Sequence, residues 1–358
     1  MDRDTALQQL NGGDPQSRRL AVRELGRWND AETLGALVNA LNDMSRDVQE
    51  AATDTLLEVG DSRAVRLLTP LLRSPAPSVR NFARMVLERL GKAEPSLIID
   101  LARDPDPRMK IFCANILGGM SDHDFAPTLI GLLDDGDENV RDAAIVALGR
   151  LGAPESVPRL TRFLLAAEPW LRFSAIDALS KIGGPEAARA LIDELPNVDA
   201  ELREPMIDAL GQQGSPESVD VLVRLLETLP QLRGAVLRAL LGPLSMAVRS
   251  RKGDPGLRPL AKALAEVVEL DRLESRLVPG ALGMLGSMDV SEGAHAILRS
   301  LQSKEAAIAS AAVRAASHLG LVAALPVLQG LLGTADPKLA QEIGAAIAVL
   351  EAPGKERL

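Results

Sequence analysis

Apolar and polar residues alternate along this chain with a helical period, and the helical segments themselves recur. From Val140 to Gly152 the sequence reads VRDAAIVALGRLG, with aliphatic or small residues at positions one, five, eight, nine and twelve. That spacing lays a single apolar stripe along a helix. The same frame returns as VQEAATDTLLEVG from Val48, VRNFARMVLERLG from Val79, LRFSAIDALSKIG from Leu171 and LREPMIDALGQQG from Leu202. Extended along the chain it starts at Ser17, Val48, Val79, Met109, Val140, Leu171, Leu202, Leu232, Leu277, Ile308 and Leu339, in steps of 31, 31, 30, 31, 31, 31, 30, 45, 31 and 31 residues. Nine of the ten steps agree within one residue, so the chain is an array of one repeated unit.

Within a unit the fifth position is usually small or slim (Ala21, Ala52, Ala83, Cys113, Ala144, Ala175, Ala281, Ala312) and the ninth is nearly always aliphatic (Leu25, Leu56, Leu87, Leu117, Leu148, Leu179, Leu210, Leu240, Leu285). These positions predict the core of an amphipathic helix A. Glycine at the thirteenth position, Gly60, Gly91, Gly152, Gly183, Gly214 and Gly320, predicts a left-handed stop. Pro154, Pro185 and Pro216 follow at once and open a helix B, where a missing N–H costs nothing. Helix B carries its own stripe, as in Val157, Leu160 and Leu164 or Val219, Leu222 and Leu226. A pair this short cannot bury its stripe alone, so the pairs must stack. The fold expected is all-α: a right-handed α-solenoid of about ten helix pairs, capped by a lone helix B at residues 4–10 and a lone helix A from Leu339 to Leu350, with a polar tail from Ala352.

The frame resembles the short HEAT-like repeats of bacterial proteins, including phycobilin-lyase-type repeats. The match rests on a Val-Arg start, an Ala-rich middle, Leu-Gly, then Pro-Glu-Ser-Val-Pro and Leu-Leu, all present in VRDAAIVALGRLGAPESVPRLTRFLL. The resemblance implies the fold strongly and the function weakly, since that family holds scaffolds, regulatory subunits and a few enzymes. The one break in register, the 45-residue step, falls at GPLSMAVRSRKGDPG. It divides the chain into an arm over 1–244, an insertion loop over 245–256 and a shorter arm over 257–358.

Composition supports stacked helices. Aromatic residues make up 2% of the 358 and tyrosine is absent, which suits Leu/Ala/Val helix packing better than sheet. A single compact core stops growing at roughly 250 to 300 residues, a limit that an open array escapes. One cysteine, Cys113, excludes an internal disulfide, and at a core position it reads as a buried thiol. The acidic, short-apolar start MDRDTALQQLNGG lacks the features of a signal peptide, and no run reaches the roughly 20 apolar residues of a bilayer span. A cytoplasmic protein without membrane insertion is the expectation. Net charge is −9, unevenly spread: residues 111–230 hold 20 acidic and 9 basic side chains. Nucleic-acid binding runs on a Lys/Arg surplus, so a nucleic-acid partner is not expected.

Catalytic, cofactor and metal chemistry find no candidate. His123, His295 and His318 are followed by Asp124, Ala296 and Leu319 rather than the His-Glu pairs of iron-binding relatives, and His123 with Asp122 and Asp124 reads as a polar turn. The function expected is a non-catalytic scaffold or adaptor holding a partner protein, for instance a component of bacterial signal transduction. A phycobilin-lyase-like, cofactor-handling protein is the alternative that the resemblance leaves open.

Candidate contact residues come from three places. The nineteenth and twenty-third positions of each unit lie one turn apart on the side of helix B expected to be exposed, and they predict an inner ridge. They include Gly35, Asn39, Arg66, Pro70, Pro127, Gly131, Pro158, Arg162, Arg189, Asp193, Asp220 and Arg224. The insertion adds Arg249, Arg251 and Lys252, and the turn before one helix A adds Trp170, a side chain suited to anchoring an interface. A basic residue also recurs at the second position of helix A (Arg18, Arg80, Lys110, Arg141, Arg172, Arg203, Arg233). It is expected to pair with acids of the preceding turn, such as Asp106, Asp137, Glu168 and Glu201, as a stapling ladder.

Overall fold

A computed structural model of the chain describes residues 1–214, 217–242, 244–270, 273–288 and 291–352. Among them there is no strand, and the fold is an all-α solenoid of helix pairs. The chain divides into two compact units, residues 1–182 and 183–358. In the first lie α1 (Arg3–Gly12), α2 (Pro15–Leu25), α3 (Ala31–Asn39), α4 (Arg46–Val59), α5 (Ala64–Leu68), α6 (Pro77–Leu90), α7 (Pro95–Ile99), α8 (Pro107–Gly119), α9 (Ala126–Leu132), α10 (Glu138–Leu151), α11 (Val157–Thr161) and α12 (Pro169–Ile182). In the second lie α13 (Gly184–Glu194), α14 (Ala200–Gln213), α15 (Glu217–Thr228), α16 (Arg233–Leu241), α17 (Ser245–Arg249), α18 (Arg258–Glu269), α19 (Val278–Met288), α20 (Ala294–Ser300), α21 (Ala306–Leu319), α22 (Leu325–Leu332) and α23 (Pro337–Glu351).

Nine of the eleven predicted starts fall on the third residue of a helix A; at Leu232 and Leu277 the helix begins one residue later. Proline sets many of these starts, as Pro15, Pro77, Pro107, Pro169 and Pro337 each occupy a first helical position that needs no donor. Asp14, Asp106 and Asp336 cap three of these ends, and Asp137 caps α10, by accepting from backbone N–H groups of the first turn. Every fifth- and ninth-position residue named above is fully buried, including Cys113, whose thiol burial pushes up to about 12. Helix B is less regular than expected, because α5, α7 and α11 tighten into 3-10 turns at Thr69–Arg73, Asp100–Arg103 and Arg162–Leu165.

Two kinds of glycine carry the hairpins and the stacking. Gly60, Gly152, Gly214 and Gly320 are left-handed as expected, but Gly91 is right-handed and continues into a 3-10 turn, and Gly183 combines φ 66° with an extended ψ. A Cβ at Gly91 would press on the Met120 methyl, the mobile end of a flexible side chain. The second kind was not anticipated. At the tenth position, Gly118, Gly149, Gly211 and Gly286 face the eighth-position alanine of the next unit, Ala147, Ala178, Ala239 and Ala315, so closely that a Cβ would come within 3.1 Å of its Cα. Small residues on both sides let successive A helices touch backbone to backbone.

The basic ladder exists with different partners. Arg18 bonds Asp43 through two nitrogens at 2.8 Å, Lys110 bonds Asp135 at 2.6 Å, Arg141 bonds Glu168 at 3.0 Å and Arg233 bonds Glu266 at 2.9 Å, all acids of the turn or helix end that follows. Toward the preceding turn the same side chains donate to carbonyls: Arg18 to Gly13, Arg80 to Ser74 and Pro75, Arg141 to Asp135, Arg172 to Ala166. Asp106 and Asp137 are unavailable to the ladder because they cap their own helices. Arg18 and Arg141 thereby bridge two consecutive turns.

The 245–256 segment lies inside the second unit and is not a free loop. It forms α17 and a 3-10 turn at Pro255–Leu257, with Leu244, Val248 and Leu257 buried. Pro216 and the tail beyond Ala352 lie outside the described residues.

Candidate protein-binding surface

Helix B presents the predicted ridge to solvent. Asn39, Arg66, Pro70, Pro127, Gly131, Pro158, Arg162, Arg189, Asp193, Asp220 and Arg224 are all exposed, and Gly35 is half-buried. The periodicity of the B stripe is the cause, since residues one turn apart opposite the buried row must face water. At Gly35 and Gly131 an added Cβ would meet nothing within 4 Å, and shallow grooves open beside them. One is bordered by Leu7, Leu10, Asn39 and Met44, the other by Ile99, Pro127 and Asp134.

The charged candidates differ in how freely they stand. Arg66 is engaged, since its Nε lies 2.7 Å from Glu94 of the following unit and that carboxylate raises its pKa. Arg162 and Arg189 are exposed in the 3-10 turn after α11 and in α13 respectively, so they belong to different compact units. Arg224 donates from Nε to the Asp220 carbonyl at 3.3 Å.

Two candidates from distant positions meet. Arg251 of the insertion reaches Asp220 of α15 at 2.7 Å and Asp254 at 2.6 Å, while the Gly253 N–H donates to the Met288 carbonyl at the end of α19. Burial opposes charge on Arg251, but its bonds to Asp254 and Asp220 prevail and its pKa rises. Arg251 and Asp220 thus pin the insertion. Arg249 and Lys252 stay exposed, with the Arg249 guanidinium beside Gly283.

Trp170 sits in the first turn of α12 and is 48% exposed, so it does not serve to close the local core. Phe173, three residues on, is 45% exposed, and Leu165 just before the turn is 54% exposed. The signal was in the register: the third position of helix A is polar in α2, α4 and α14 (Arg19, Glu50, Glu204) but phenylalanine in α12.

The polar turn at His123 is a helix start. Asp122 accepts from the Asp124 N–H at 3.2 Å and lies 3.6 Å from the Lys92 ammonium. Among the described residues no group of three or more His, Cys, Asp and Glu could hold a metal ion, and no helix is long and apolar enough to cross a membrane.

The sequence profile of the HEAT repeats family matches residues 4–88 and 94–170, all within the first unit. The second unit continues the same frame of helix pairs. Among solved structures the chain is similar to importin beta crystallised in ammonium sulfate (14% identity, TM-score 0.59, covering 97% of this chain and 57% of that one) and in polyethylene glycol (15%, 0.61, 97% and 59%). It spans under three fifths of importin beta, and at this identity the likeness is one of fold. The complex of CpcE and CpcF of phycocyanin lyase from Nostoc sp. PCC7120 also matches, at 22% identity and a TM-score of 0.32 over 64% of this chain and 95% of that one. No curated protein matches the sequence.

Proposed function

We propose that this protein is a non-catalytic adaptor that holds a partner protein along its B helices. The observation that carries the reading is the exposed ridge, two side chains per unit at one-turn spacing, mounted on helices whose opposite stripe is fully buried. A ridge on packed helices is preorganised, so binding orders little of the scaffold. In the first unit the ridge is flat at Gly35, Pro127, Gly131 and Pro158 and charged at Arg66 and Arg162; in the second it is charged at Arg189, Asp193, Asp220 and Arg224, so it offers both shape and charge. A partner in signal transduction is one use of such an adaptor; the ridge itself specifies only a protein with both apolar and charged contacts.

The test is affinity purification from the native host followed by mass spectrometry, comparing wild type with the triple variant Arg162→Glu, Arg189→Glu and Arg224→Glu. A protein retained by wild type and lost from the triple variant, with the helical spectrum intact, is the expected result. Retention by both would remove the ridge from the contact. A chromophore absorbing beyond the protein band in the purified sample would overturn the non-catalytic reading.

A further inference from the structure

The repeat supplies an internal control for surface chemistry, because the same helix A position can be compared across units. Residues at positions three, seven and eleven form the line of helix A opposite its buried stripe. In α2 this line is Arg19 and Arg23, with Arg27 just beyond the helix; in α4 it is Glu50, Asp54 and Glu58; in α14 it is Glu204, Asp208 and Gln212. Each is polar throughout. Polar bonds run from this line to neighbouring helices, as from Arg238 to Glu204 and from Arg314 to Glu342 at 3.1 Å.

Four consecutive A helices break the rule, as α23 does singly with Val349. Each carries one large apolar residue on this line: Met85 in α6, Ile111 in α8, Val146 in α10 and Phe173 in α12. Met85 is 42% exposed and Phe173 45%, while Ile111 and Val146 are half-buried. The lines adjoin in space, since Ser174 beside Phe173 donates to Asp142 of α10 at 2.5 Å. Trp170 extends the stripe at its α12 end, so two of the most exposed aromatic side chains of the molecule lie on it.

Charge borders the stripe on both edges. On α10 Glu138 stands at the helix start and Asp142 on the line itself, neither in an ion pair among the described residues, while Arg108 at the start of α8 is paired with Asp106; the surrounding segment holds 20 acids to 9 bases. Toward the helix ends stand Arg89 and Arg150, both exposed. We propose that the solvent face of α6, α8, α10 and α12 is a docking surface for an amphipathic helix of a partner protein, with basic residues along one flank and acidic residues along the other. The dimensions agree: packed helices stand ~8–10 Å apart, so four of them offer an apolar group every ~10 Å over ~30 Å, and a helix rises ~10.5 Å in seven residues. A partner helix of about 20 residues with an apolar side chain each second turn spans the face. This surface is separate from the B-helix ridge, so neither reading depends on the other.

The probe is a set of three synthetic helical peptides sharing one leucine face, with mixed Lys and Glu flanks, lysine on both flanks, or glutamate on both. A Trp28→Phe protein leaves Trp170 as the only tryptophan, and its emission reports binding. The mixed peptide is expected to bind tightest and to shift the emission to the blue; Phe173→Ser, and separately Val146→Lys, should each weaken it by about tenfold or more. Equal or tighter binding of the all-lysine peptide would reduce the effect to bulk attraction and overturn the proposal. So would binding unchanged in both variants while their helical spectra are intact, or no binding by any peptide. Self-association of the protein that Phe173→Ser abolishes would assign the face to a second copy and overturn it as well.

Discussion

Replacing Gly149 by alanine puts two principles in direct opposition. Gly149 lies inside α10, and alanine in a helix interior is favoured over glycine by about 0.8–1.0 kcal/mol. A Cβ at that position, however, would sit 2.7 Å from Ala178 Cα and 2.9 Å from Ala178 Cβ in α12. Ordinary carbon contacts stand at ~3.5–4.0 Å, so the two helices would have to part by about 1 Å. Both sides of the contact are backbone or Cβ, with no flexible side chain to swing aside. Overpacking of this kind costs about 1–3 kcal/mol, so the net effect is a loss of up to about 2 kcal/mol. Gly344→Ala in α23 is the matched control: its Cβ would meet nothing within 4 Å, so only the propensity acts and a gain of about 1 kcal/mol is expected. Urea unfolding followed by far-UV circular dichroism gives the midpoints, and amide hydrogen exchange in α10 and α12 shows whether the loss is local, as expected of a repeat array. If Gly149→Ala raises the midpoint as much as Gly344→Ala does, the A helices do not touch backbone to backbone and the reasoning fails.

Further outcomes follow from the same structure. Leu148→Ala empties a fully buried ninth position and should cost about 2–5 kcal/mol; a loss under about 0.5 kcal/mol in the same assay would mean that the stripe faces elsewhere. The hydrogen bonds from Arg18 hold the Asp43 carboxyl below its usual range, so the pair stabilises the fold above the unfolded pKa of about 3.9 and loses that contribution as pH falls through the lower folded value. Asp43→Asn should therefore be less stable than wild type at neutral pH, with a gap that closes in acid; a pH-independent gap would refute the ion pair's role. At a pKa of about 12, Cys113 is almost wholly protonated at pH 8 as well as buried, so alkylation should be negligible until urea unfolds the chain. Labelling of the native protein at the rate of a free thiol would contradict that burial.

Much of the fold was legible because a repeat states its own register many times over. The frame that places Val48, Val140 and Leu202 at first positions also places Ala52, Ala144, Leu56 and Leu148 in the core, and the structure buries all of them. Helix starts were written in Asp and Pro, and four of the six predicted left-handed glycines are left-handed, because such local geometry needs only neighbouring residues. The exposed ridge on helix B followed from the same periodicity. What contacts what across 25 to 30 residues did not. Periodicity is silent about which of two flanking turns an arginine reaches, so Arg141 was assigned to Asp137 and in fact bonds Glu168. It could not show that the tenth-position glycines answer to alanines of the next unit, since that depends on how closely the helices approach. Nor could it show that Arg251 crosses to Asp220 and holds down a segment whose glycines and prolines read as a loop. Local sequence determines where helices begin, end and turn their apolar sides; only the stacking of those helices decides which polar groups are consumed in holding the array together and which, like Trp170 and Phe173, are left facing water.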